Sequence, residues 1–183
     1  MKEIKVITIQ QPWATLASYG AKIFDTRSWA TPYRGPIAIH AGKKMVCACE
    51  EPELWFEICK SIGYPECVAE EWFGEFGEQP MYTALMTSKI LYKSQFPLGA
   101  IIATGRLTDC CCIQLDTRNL NPYILTNEGK FYPSFQERYF GNWIPGYYAW
   151  KLEDIKMLDD PVETPGKQKL WSFTLPEDWR VQE

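Results

Sequence analysis

The chain has 183 residues, 46% of them apolar, and a net charge of -4 at pH 7. That length suits one domain, 1–183, carrying one sizeable insertion, and the apolar content excludes a disordered chain. The acidic balance argues against a protein that coats duplex DNA.

The first run, IKVITI (4–9), is β-rich and reads as a strand. Pro12 then stands where a first helical residue belongs, and Trp13, Leu16 and Ala17 follow at helical spacing. Gly20 ends this short helix, over 12–19, as a left-handed cap. Residues 23–29 (IFDTRSW) are β-branched and aromatic and predict a second strand, TPYRG a turn, and PIAIHAG (36–42) a third strand. EPELWFEICKSIG (51–63) has Pro and acids at its start, Lys60 near its end and Gly63 after it, which predicts a helix. Residues 45–97 read as a helical insertion, since no linker composition marks their edges. LGAIIATGRLTDC (98–110) returns to strand character, 113–145 reads as a long ordered loop or short elements, and strands follow at 147–158 and 169–175. Strands with helices between them predict an α+β fold around a small curved or closed sheet.

Charge and sulfur are unevenly placed. Between Gly20 and Lys44 stand Lys22, Arg27, Arg34, Lys43 and Lys44 against one acid, Asp25, a local +4 on a body carrying -8. A patch of that kind suits a small anionic or nucleotide-like ligand. The seven cysteines form no paired framework and no CxxC, so they read as reduced thiols, with no metal and no cofactor implied. MKEIKVITIQ has no apolar segment long enough for a signal peptide, and no run of about 18 apolar residues exists. The expectation is a cytoplasmic protein without a membrane partner.

The stretch QQPWATLASYGAKIFDTRSWATPYRGPIAIHAGKK resembles the amino-terminal half of the ASCH domain, a PUA-like family. That family shows a QPWA helix start, then G-x-K-x-x-[ED]-x-R-x-W, then Y-R-G and an I-A-I-H-A strand. FPLGAIIATGRLTDC and GYYAWKLEDIKMLDDPVETPGKQKLWSF are similar to its central and closing strands. The resemblance implies a PUA-like small β-barrel flanked by helices, with a cleft beside the Lys–acid–Arg strand. Its relatives are linked to RNA or DNA binding, to coactivator proteins and, in some members, to hydrolysis.

On a strand, Asp25, Arg27 and Trp29 share one face, and the stem of Lys22 reaches it from the strand's start. Such a set suits a nucleobase or nucleotide. Trp stacks, at about 1–3 kcal/mol per base, Arg offers a planar fork, and Asp accepts from an amine or hydroxyl. The bland alternative is an Asp25–Arg27 salt bridge that pins the strand. His40 reads either as structural or as a contact at the cleft rim, and Lys43 as a surface lysine that steers an anion. Trp13, Trp150 and Trp171 read as core, Gln10 and Gln11 as facing the cleft, and Trp143 as an exposed stacking aromatic. The expected partner is RNA or a nucleotide-like ligand, with a protein partner through 45–97 as a further reading.

Some small relatives resemble amidohydrolases that deacylate a modified cytidine with a Lys, a Thr three residues later and a Glu. Lys22 matches the Lys, but Asp25 stands at the Thr position, and a carboxylate nucleophile would form an unstable anhydride. Asp25 acting as general base on water, with Lys22 steadying the oxyanion, is the route left to an enzyme. The Glu stays unassigned, with Glu128 and Glu137 as candidates by elimination.

Overall fold

The computed structural model of the protein describes residues 2–45 and 96–182. The helix expected over 51–63, and nearly all of the expected insertion with its partner surface, lie outside the described residues.

Strand β1 (Lys2–Gln11) leads into helix α1 (Trp13–Ser18), then strands β2 (Phe24–Arg27) and β3 (Gly35–Met45). After the undescribed stretch come β4 (Ala100–Cys112), β5 (Gln114–Asp116), β6 (Asn121–Thr126) and β7 (Gly129–Phe131). Helix α2 (Phe135–Phe140) and strands β8 (Tyr148–Glu163) and β9 (Leu170–Leu175) complete the chain. The main sheet has six strands in the order β2-β8-β4-β3-β1-β9, and β5-β6-β7 form a small second sheet. β1 and β3 are parallel, and the other pairs of the main sheet are antiparallel. Among the described residues no helix is long and apolar enough to cross a membrane.

The α+β class holds, but the expected barrel does not form. The sheet is mixed and open, with β2 and β9 at its two ends and not paired to each other. β2 has only four residues, and α2 with the turn after it runs along its outer side. Curvature comes instead from the long β4–β8 pair, whose register shifts three times; such bulges bend and twist a strand.

Both faces of the central strands are covered, which explains why β1 carries apolar residues of both phases, Ile4 and Val6 on one and Ile7 and Ile9 on the other. Ile7, Ile9, Ile37 and Ile39 pack with Trp150, Leu152 and the α1 residues Ala14 and Ala17 on one face. Ile4, Val6, Ala38, Ile101 and Trp171 pack on the other. Trp150 and Trp171 are core residues, as their setting in β8 and β9 suggested.

The end of α1 positions everything that follows. Gly20 adopts φ +73°, where a glycine carries no Cβ penalty. Ala21 N–H donates to Leu16 O at 2.9 Å and Gly20 N–H to Ala17 O at 3.1 Å, a Schellman closure. The chain is thereby turned back along the helix, and Lys22 enters the interior ahead of β2. Gln11 is not at a cleft. It is buried, accepting from Thr15 N–H at 3.0 Å and donating to Pro97 O at 3.0 Å, because the first turn of α1 needs a partner for its free N–H groups.

Candidate ligand-binding site

A cavity of about 480 Å³ opens between β1, β2 and the turn after α2. Lys22, Asp25, Thr26 and Arg27 line its inner side, Gln10 and Trp13 one end, and Tyr139 to Asn142 its outer wall. Lys22, Asp25 and Arg27 are thus gathered at one hollow. Trp29, His40, Lys43 and Trp143 are not.

Arg27 is held at two points. Its Nε donates to Asp25 Oδ2 at 2.6 Å and its Nη2 donates to the Thr8 carbonyl at 2.8 Å. Asp25 is buried, while the Arg27 side chain keeps 25% of its exposure. A guanidinium has five N–H groups, so three remain for a ligand in a fork whose orientation is already set.

Lys22 is only 3% exposed, and its Nζ donates to Phe140 O at 2.8 Å. Burial holds its pKa below the ordinary lysine value, while the charges of Asp25 and Glu137 act against that shift. Glu137, on α2, is also buried, and its carboxylate accepts from the N–H of Ile23 and, at 3.4 Å, from the N–H of Phe24. Burial pushes its carboxyl upward, opposed by the Ile23 bond and the Lys22 charge. Two cations and two carboxylates therefore interlock here, and the formal charges cancel when all are ionised.

The outer wall is tied to β2 by polar bonds. Asn142 N–H donates to Thr26 Oγ1 at 2.7 Å. Thr26 consequently borders the cavity with Asp25 and Arg27, although strand alternation assigned it to the opposite side; the wall wraps the outer side of β2. At Gly141 a Cβ would stand 2.9 Å from Trp143 Nε1, 3.0 Å from Glu137 O and 3.2 Å from Lys22 Nζ. The close approach needs glycine.

Trp143 is a correction. It is 8% exposed, donates through Nε1 to Glu137 O at 2.8 Å and packs edge-on against Phe24 at 5.5 Å. Its Asn- and Pro-rich surroundings suggested a surface loop, but they fold over a small core of Phe24, Ile113 and Ile124. Trp29 also leaves the site. β2 ends at Arg27, so the alternation does not reach position 29, and the indole packs edge-on on Trp150 at 4.6 Å. The aromatic residues lining the cavity are Trp13, Tyr139 and Phe140. His40 and Lys43 sit on the opposite face of the sheet, because Thr8 and His40 are register partners one step out of phase with Ile7 and Ile9.

The outer wall was missed in the sequence. Its signal is Ser134-Phe-Gln-Glu137, a helix-start pattern. Ser134 does accept from Glu137 N–H at 3.1 Å, but the Glu137 side chain is diverted to β2.

The arrangement is a cavity of mixed charge between β1, β2 and the turn after α2, on an open sheet. No known-family profile matches the chain. Over 104 residues it is 27% identical to Activating signal cointegrator 1 of Homo sapiens, a likeness spanning 57% of this chain and 14% of that protein.

Proposed function

We propose that the chain is an ASCH-type domain that binds RNA or a nucleotide-like ligand in the cleft beside Lys22, Asp25 and Arg27. The observation that carries this reading is the Arg27 fork. Asp25 and Thr8 hold it with three N–H groups unused, at a cavity that Trp13 and Tyr139 also line. A base edge displays donors and acceptors together, and Arg27 and Asp25 answer both. The carboxylates offset the cations, so a base edge suits the cleft better than a bare phosphate. The likeness to a cointegrator supports a nucleic-acid or protein partner only in that broad sense.

The test is fluorescence anisotropy with a labelled single-stranded RNA, repeated with free nucleotides as competitors. Saturable binding with a salt slope near the roughly -0.7 expected for one released counterion agrees with the reading. An absence of binding at millimolar nucleotide and micromolar RNA refutes it.

A second reading, hydrolysis of an acylated nucleoside, is favoured by one observation. Lys22 is a buried lysine of depressed pKa at a cavity wall, the setting of many catalytic lysines. Glu137 does not line the cavity, so Lys22 and Asp25 alone would carry the chemistry. Turnover of N-acylated cytidine, lost in Lys22→Met, identifies the enzyme.

A further inference from the structure

We propose that a second cavity, on the opposite face of the sheet, is a binding site for a hydroxyl-bearing phosphate group of the ribose-phosphate kind. It lies beyond the cleft described above and rests on other residues. The cavity measures about 410 Å³ and is lined by Thr8, His40, Lys43, Gly166 and Lys167 among others.

His40 points to the ligand chemistry. The residue is 1% exposed, and its Nε2 lies 2.9 Å from Thr164 O. A carbonyl only accepts, so Nε2 carries the hydrogen, and in that tautomer Nδ1 is an acceptor. Nδ1 is buried and has no hydrogen-bond partner among the described residues. An unmet buried acceptor is destabilising, and such groups in folded proteins call for an explanation. Thr8 cannot satisfy it. Its hydroxyl already donates to Lys167 O at 3.0 Å and accepts from Trp171 Nε1 at 3.2 Å. The complement to Nδ1 is therefore a hydroxyl donor brought by a ligand.

Two lysines supply the other half. Lys43 and Lys167 are exposed at the same cavity, and neither forms an ion pair with a described carboxylate. Lys167 Nζ lies over the Trp171 ring at 5.5 Å, which holds it near the cavity. Two ammonium groups beside a lone pair suit an oxyanion next to a hydroxyl.

Gly166 packs directly over His40 Nδ1. A Cβ there would stand 2.6 Å from His40 Cε1, 2.9 Å from Nδ1 and 3.2 Å from Thr8 Oγ1. Glycine is the thinnest cover the backbone offers, and residues 165–168 are exposed throughout.

The experiment is a nuclear magnetic resonance titration of the full chain with ribose 5-phosphate, inorganic phosphate and a short single-stranded RNA. Ribose 5-phosphate is expected to shift the His40 Nδ1 signal and the Gly166 and Lys167 amides, at least tenfold more tightly than inorganic phosphate. Lys43→Ala with Lys167→Ala removes the response at unchanged melting temperature, whereas Tyr139→Ala, in the other cavity, leaves it intact. RNA binding tenfold tighter than ribose 5-phosphate assigns the site to a strand, and equal affinity assigns it to a free sugar phosphate. The proposal is overturned if millimolar ribose 5-phosphate and RNA leave those signals unmoved, if inorganic phosphate binds equally well, or if the double variant still responds.

Discussion

Arg27→Lys is the sharpest probe of the cleft. The guanidinium engages two N–H groups with the protein, Nε with Asp25 at 2.6 Å and Nη2 with Thr8 O at 2.8 Å, and keeps three for a ligand. A lysine has one nitrogen. Placed against Asp25, it keeps the ion pair but gives up the Thr8 carbonyl and the planar fork. The lost contact to a ligand is charge-assisted and worth about 1.5–3 kcal/mol, so the dissociation constant should rise roughly 10- to 150-fold. The lost carbonyl bond costs about 1 kcal/mol of stability, or about 2–4 °C in melting temperature for a chain of this size. Anisotropy with single-stranded RNA and thermal melting read the two effects separately. If Arg27→Lys melts lower but binds as the parent does, the fork is a strut of the sheet and plays no part in recognition.

Three further outcomes follow from the buried charges and the wall. Glu137 holds its proton above the ordinary value of 4.5, so the folded chain binds more protons than the unfolded one just above that pH. Its contribution to stability is therefore full below 4.5 and declines as pH rises through the elevated value; Glu137→Gln should flatten that decline in urea titrations run from pH 4 upward. Lys22 has the opposite sign, with stability gained as pH climbs from its lowered value toward 10.5, and Lys22→Met should remove that gain. Gly141→Ala places a methyl within 3.2 Å of Trp143 Nε1, Glu137 O and Lys22 Nζ, and should lower stability by about 1–3 kcal/mol and weaken ligand binding together. An unchanged melting temperature would show that the wall yields freely.

Much of the frame was legible in the residues. β-rich composition located β1, β3 and β4, alternation located β8, and Gly20 marked the end of α1, because these signals are local. The strand order was not legible, since closure depends on how far β2 extends, and nothing in IFDTRSW marks its end at Arg27. The same shortfall misassigned Trp29. Lys22, Asp25 and Arg27 were found because they lie within six consecutive positions on one turn and strand. Glu137 and the 139–142 wall come from more than 100 residues away, and only tertiary packing unites them with Lys22. His40 and Lys43 were drawn to the wrong cavity for a simpler reason. Proximity in sequence says nothing about which face of a sheet a side chain takes.

The carboxylate of Glu137 has one more consequence. It covers backbone donors at the exposed margin of β2, the place where a foreign strand could add to the sheet. Glu137→Ala would uncover that margin, and the protein would then be prone to recruit extended peptides or copies of itself by β-augmentation.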